Sequence, residues 1–316
     1  MRFVLIFIPS ISFLISCTKE IEINLPQHNP DIVVDGTIET DRHPIVLISK
    51  SADIYSSTDI DTYLSNFILD AEVKVVCNQD TTTLNLYTIS DLPTESQKKL
   101  AEMLRLKDID ELQFLPPLMV YSSNDIKGNI NQTYELIIKH NQKYYSGETK
   151  IGEPIPLDLL YWKGELENNN YGYGWAQLSD PSNQFDAYKW EVKRTNLNSE
   201  GIPIDNIFKS ARGWFFDDKY SDGLTFEFSF KNPLKRKDTT HLKEFRRYYR
   251  LGDTVVVKFS KIDQSVYEFL EKKNTQLTTV GSPFSTPINV PSNMNGGALG
   301  IWAGYSPVYD TLYCYP

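Results

Sequence analysis

The sequence predicts an all-β protein with two inserted helices: an N-terminal immunoglobulin-like β-sandwich followed by a second β-barrel or sandwich. Three observations predict it. Short β-branched runs recur along the chain between turn residues, the pattern of packed antiparallel strands. Tyr and Phe are abundant, at 19 and 16 residues, and flat rings suit a pleated, half-buried surface. Only two stretches carry a helical period.

In chain order, Ile32-Val33-Val34 and Ile45 to Ile48 are β-branched runs separated by turn residues near Gly36 and Asp41 to Pro44. Ala71 to Cys77 alternates, Thr82 to Tyr87 is strand-like, and Tyr134 to Ile138 alternates again. Lys139 to Lys143 reads as a hairpin turn into a strand from Tyr144 to Lys150. Between these strands Thr94-Glu95-Ser96-Gln97 has the form of a capping box, and Leu100, Met103, Leu104 and Leu106 follow at near-helical spacing. A helix is expected over 94–107, with Pro116-Pro117 preventing continuation. Gly152 to Pro156 is the expected joint between a sandwich over 31–153 and a barrel-like domain over 154–316. The second part predicts strands at 159–162, 173–178, 188–194, 224–230 and 254–259. A helix over 263–277 follows, its apolar face built from Ile262, Val266, Phe269, Leu270 and Leu277. Gly296-Gly297-Ala298-Leu299-Gly300 then leads into a closing strand, and glycines there imply a bend or close backbone approach.

A chain of 316 residues suffices for two domains. With 41% hydrophobic and 23% charged residues it is globular rather than disordered. The net charge of −9 argues against nucleic acid as a partner, which requires a positive field.

The first sixteen residues differ in texture. Met1-Arg2 precedes an almost wholly apolar run to Ile15, of signal-peptide length and too short to span a bilayer comfortably. It ends in Leu14-Ile15-Ser16-Cys17, which resembles the lipobox of bacterial lipoproteins. The expectation is a signal peptide over 1–16 and lipidation at Cys17, whose thiolate takes a diacylglyceryl group and whose freed amine takes a further chain such as palmitate. Several acyl chains make a durable anchor where one does not. Residues 17–30 are polar and proline-bearing, a lipidated tether. Cys77 and Cys314 remain; outside the cytoplasm they can pair or stay as thiols.

Several blocks together resemble a large group of Bacteroidetes envelope lipoproteins known only as a domain of unknown function. They begin with Cys17-Thr18-Lys19-Glu20-Ile21, Ile32-Val33-Val34-Asp35-Gly36, Tyr134-Glu135-Leu136, Thr149-Lys150-Ile151 and Pro154 to Asp158. Ser179-Asp180-Pro181, Phe215 to Gly223, Gly252 to Val255, Pro283-Phe284-Ser285 and Asn295 to Gly300 follow. The resemblance implies a lipoprotein often encoded beside a TonB-dependent outer-membrane receptor, and so a partner in nutrient capture. It supplies no catalytic residues. Family members commonly carry paired cysteines near the C-terminus, where this chain has Cys314 alone. Lys19-Glu20 and Glu22 resemble the charged signal that sends such lipoproteins to the cell surface.

Signatures of chemistry are sparse. His28, His43, His140 and His241 are scattered, with no metal-ligand spacing, and no nucleophile elbow, phosphate loop or dinucleotide fingerprint occurs. No enzyme, cofactor or metal is expected. Asp217, Asp218 and Asp222-Gly223 read as a polar turn or a calcium loop, with Tyr220 where a ligand belongs. Residues 231–250 hold eight Lys and Arg against two acids. Lys235, Arg236, Lys237, Arg246, Arg247 and Arg250 there form either a contact for an anionic partner or a solvated hairpin. Tyr171, Tyr173 and Trp175 form a candidate ligand platform for sugar stacking, or ordinary core and edge residues. The expected function is an accessory ligand-binding or partner subunit of a TonB-dependent transporter. The alternative is a structural or adhesive surface protein without a small-molecule site.

Overall fold

The computed structural model describes residues 32–51, 66–210, 213–233, 245, 247–279 and 289–315. Cys17, with the signal peptide and tether, lies outside them, as do Lys235, Arg236, Lys237 and Arg246. The chain is all-β, with two α-helices among the described residues.

The first strands are β1 (Ile32–Glu39) and β2 (Ile45–Lys50). They pair antiparallel, with Val34 opposite Ile48. After β3 (Glu72–Cys77) and β4 (Asp80–Thr88) comes α1 (Thr94–Met103), then the short β5 (Met119–Ser122). β6 (Gln132–His140) and β7 (Lys143–Ile151) form a hairpin on a two-residue loop. Asn141 and Gln142 both have positive φ, 48° and 63°, the primed turn whose twist matches that of the strands.

The second part begins with β8 (Leu159–Gly164), β9 (Tyr171–Ser179) and β10 (Ala187–Arg194). β11 (Phe215–Asp217), β12 (Thr225–Phe230) and the two-residue β13 (Tyr249–Arg250) follow. β14 (Thr254–Ile262), α2 (Gln264–Thr279), β15 (Met294–Asn295) and the long β16 (Leu299–Tyr313) complete the chain.

Twelve strands join in one curled sheet of order β11-β10-β14-β16-β1-β2-β5-β4-β3-β6-β7-β15; β12, β9, β13 and β8 form a second, small sheet. β16 is the hinge of the design. It runs antiparallel to β14 and parallel to β1, so the large sheet passes without a break through both the 31–153 and the 154–316 segments. The curl also brings β7 back to β16, where the Gly304 amide donates to Thr149 Oγ1 at 2.8 Å. Gly300 makes the parallel docking possible: its φ is +104°, and a Cβ there would lie 1.9 Å from the Val34 carbonyl oxygen, a contact no side chain survives.

One core fills the curl of the sheet. Val34, Val46, Val73, Val75, Tyr134, Leu136 and Trp302 lie in it, all buried. Trp302 Nε1 donates to the Tyr134 carbonyl at 3.0 Å, which satisfies its only polar atom. A second core lies between β10, β14 and β16 and the small sheet. It is aromatic: Tyr188, Trp190, Trp214, Tyr249 and Phe259 are buried, and Phe216, Phe226, Phe228 and Phe230 pack against them. Cys77 packs at the first core and Cys314 lies in the second, so no disulfide joins them.

Both helices form where their periodicity places them, with different ends. The Thr94 capping box is not formed. Pro93, at ψ 145°, takes the N-cap place, and its carbonyl accepts from the Gln97 amide. The Gln97 side chain reaches past it to the Leu92 carbonyl at 2.9 Å. The helix ends early because Arg105 turns into the left-handed region at φ 57°. The Leu106 amide then reaches Ala101 and the Arg105 amide reaches Glu102, a Schellman closure in which glycine is the usual occupant. In α2 Asp263 is the cap, its Oδ1 accepting from the Val266 amide at 2.9 Å and from Ser265 Oγ at 2.7 Å. Val266 and Phe269 are buried beside Ile262, but Leu277 is exposed.

Candidate functional site

Three places in the fold concentrate chemistry. The first is the outer face of the small sheet. In β9 the usual alternation is reversed: Gly172, Gly174, Ala176 and Leu178 point inward and are buried, while Tyr171, Tyr173 and Trp175 lie on the half-exposed side. The reason is crowding beneath. A Cβ on Gly172 would sit 2.7 Å from the Trp162 ring, and one on Gly174 would sit 2.7 Å from Leu312. The rings therefore go out. Tyr161 stands opposite Trp175, and Lys163 opposite Tyr173. Lys163 Nζ lies 5.9 Å from the centre of the Trp175 ring, within cation–π range. Tyr171 stacks on Phe245 at 4.6 Å, and Tyr173 meets Tyr248 at 4.4 Å. Arg250 pairs with Tyr171 in register, and both Arg247 and Arg250 are exposed. The sequence-predicted platform residues and the described end of the basic segment thus share one face.

The second place was not found by sequence reasoning. The face of β10, β14 and β16 opposite the aromatic core changes character along its length. Under α2 it is apolar, with Ala187, Ile262, Ile301, Ala303 and Tyr305. Under α1 it is charged. Glu191, Lys258 and Tyr309 stand side by side across three neighbouring strands, and Glu39 of β1 completes the group. Glu39 Oε2 accepts from Lys258 Nζ at 2.6 Å and from Lys99 Nζ at 3.1 Å, and Oε1 accepts from the Tyr309 hydroxyl at 3.3 Å. Glu191 pairs with Lys189 at 2.8 Å. Burial alone would raise the Glu39 carboxyl; Lys258 and Lys99 override it and hold the group well below the usual carboxylate range. Burial likewise opposes Glu191, which Lys189 and Lys258 pull down to about 2. Lys258 is raised well above the ordinary lysine value, because Glu39, Glu102 and Glu191 outweigh its desolvation. Glu102 goes the other way: burial pushes it up, although Oε1 accepts from the Phe208 amide at 3.0 Å. Above this group opens a cavity of about 240 Å³, its wall including Arg42, Lys98, Lys193, Asn206 and Phe208.

The acidic turn joins a third group. Asp218 meets Asp180 and Asp186, all buried, with carboxylate oxygens within 4.8 Å of one another. Each also accepts from the protein. Asp180 takes the Tyr188 hydroxyl at 2.5 Å and Asp218 takes the Asp186 amide at 2.8 Å. Asp186 takes Gln184 Nε2 at 2.9 Å and is paired with Lys261. Asp217 lies outside the group, on β11, and Asp222 instead accepts from the Asn183 amide at 2.8 Å. The group ties the turn before β10 to the turn after β11.

A family model described as a domain of unknown function, DUF4249, matches residues 18–309. The chain belongs to that family. No curated protein and no solved structure matches it. In this DUF4249 chain the residues that sequence reasoning missed are Glu39, Lys99, Glu102, Glu191, Lys193 and Lys258. A signal for some was present. Lys258 interrupts Val255-Val256-Val257 and Phe259, and Glu191 sits between Trp190 and Val192; a charge inside a strand buried on both faces needs a partner.

Proposed function

We propose that this is a lipid-anchored protein of the bacterial cell surface that serves, without catalysis, as an accessory ligand-binding or partner subunit of a TonB-dependent outer-membrane transporter. The lipobox-like sequence at Cys17 and the ordered blocks of the Bacteroidetes lipoprotein group support the address. The observation that carries the binding part is the outward row of Tyr161, Tyr171, Tyr173 and Trp175, flanked by Lys163 and Arg250. Aromatic rings and arginine are the residue types on which protein contacts concentrate their energy, and rings with one open face also take sugars. The tightly packed aromatic core around Trp190 favours a second reading, a structural or adhesive surface protein.

The test is cross-linked purification of the anchored protein from its native membrane, beside a variant carrying Tyr173→Ala and Trp175→Ala. The transporter or a small ligand is expected with the native chain and depleted with the variant. Recovery of neither from the native chain refutes the proposal. Labelled palmitate is expected in the native chain and absent after Cys17→Ser.

A further inference from the structure

We propose that the charged cleft beneath α1 binds a small oxyanion, the carboxylate or phosphate group of a compact solute, with Lys193 as its principal contact and Phe208 as the surface beneath it. This site is separate from the aromatic face and does not rest on the reading given above. Six cations line the cleft (Arg42, Lys98, Lys99, Lys127, Lys193, Lys258) against four acids (Glu39, Asp41, Glu95, Glu102), a local +2 (6 − 4) within a chain of net −9.

Internal pairing accounts for most of this charge. Glu39 serves Lys99 and Lys258, and Glu95 serves Arg42 and Lys98 at 2.8 and 2.7 Å. Lys127 and Lys193 are left over, and of these Lys193 stands at Phe208. Among the described residues no carboxylate lies within ion-pair distance of it, and its ammonium rests over the Phe208 ring at 4.7 Å. Partial burial weakens its charged form first, and Lys98 and Lys258 add repulsion, against attraction from Glu95 and Glu102. A partly desolvated ammonium without an anion is unfavourable, and an incoming oxyanion offers it a charge-assisted hydrogen bond. Glu102, whose carboxyl is pushed up by burial, is held in the same wall by the Phe208 amide at 3.0 Å. The cavity of about 240 Å³ corresponds to roughly eight waters at ~30 Å³ each, room for a compact solute but not for a polymer.

Calorimetric titration of the full chain in a neutral detergent tests this, at fixed ionic strength set with sodium chloride. The probes are inorganic phosphate and benzoate, which separate the two anion sources; the arm that binds identifies the group. Binding of at least one probe is expected, at least tenfold weaker in Lys193→Met and retained in Lys193→Arg. The unliganded melting temperature of Lys193→Met should equal or exceed that of the native chain, because burial and the repulsion of Lys98 and Lys258 outweigh the attractions on this charge. Absence of binding by both probes, equal binding by Lys193→Met, or a clear fall in its unliganded melting temperature would each overturn the proposal.

Discussion

The Glu39–Lys258 pair is buried deeply enough for its removal to be read directly. Glu39 is 3% exposed and Lys258 2%, and Glu39 accepts from three side chains at 2.6, 3.1 and 3.3 Å. Glu39→Gln keeps the shape but removes the charge, so Lys99 and Lys258 lose their nearest anion inside the protein and Lys258 keeps only the longer contact with Glu191 at 3.9 Å. Breaking a buried pair from one side costs about 3–5 kcal/mol, a large share of the ~5–15 kcal/mol that holds a typical fold together. In urea, with a slope near ~3 kcal/mol/M, the midpoint falls by about 1 M or more, and tryptophan fluorescence reports it. The pH dependence has a definite sign. The folded-state value of Glu39 is lowered, so its stabilisation is full above the unfolded value of about 4.3 and declines below it by about 1.4 kcal/mol per pH unit. Lys258 is raised, so its share is full below about 10.4 and is lost only as pH climbs through its higher folded value. The deficit of Glu39→Gln should therefore be flat from about pH 5 to 10 and narrow towards pH 3. A deficit under about 1 kcal/mol at pH 7, or one that does not narrow in acid, refutes the assignment of Glu39 as the anion of the cluster.

Other positions give equally direct outcomes. Asp263→Ala removes the α2 cap and the acceptor for Thr149 Oγ1 at 2.8 Å and the Lys150 amide at 3.2 Å; a loss of about 2 kcal/mol is expected by chemical denaturation, with Asp263→Asn retaining about half. Gly300→Ala forces a Cβ against the Val34 carbonyl at positive φ and should cost about 3 kcal/mol, with amide exchange speeding up in both β1 and β16. Arg105→Gly relieves a left-handed residue at the end of α1 and should raise the midpoint by about 0.5–1 kcal/mol. Burial raises the Asp180 and Asp218 carboxyls, with neighbouring acids adding to it. A raised acid favours the fold as pH falls towards the unfolded value, so Asp218→Asn, which keeps an acceptor oxygen for the Asp186 amide, should match or exceed native stability at pH 7 and lose that advantage by about pH 4.

Much of the strand pattern was legible because it is local. The β6–β7 hairpin was visible from its turn residues, and α2 from Val266, Phe269 and Leu270 at helical spacing. The failures came where tertiary context decides. Thr94 looked like a cap, yet Pro93 was already fixed in an extended conformation and its carbonyl closes the first turn. Tyr171, Tyr173 and Trp175 had a visible parity, but whether rings or glycines faced inward depended on Trp162 and Leu312, which are distant in sequence. The charged cluster draws on positions from Glu39 to Lys258, each unremarkable in its own neighbourhood. Its only trace was a charge within an apolar strand. The parallel contact of β1 with β16 left no local mark beyond Gly300.

That contact sets the order of events during biogenesis. The first strand is made with one long edge unsatisfied, and its partner follows more than 250 residues later. Until then the early hydrophobic strands present an open edge of the kind that invites association with other chains. Closure of the sheet is therefore slow and long-range. Clipping even the final strand should cost the amino-terminal half its structure together with the carboxy-terminal half.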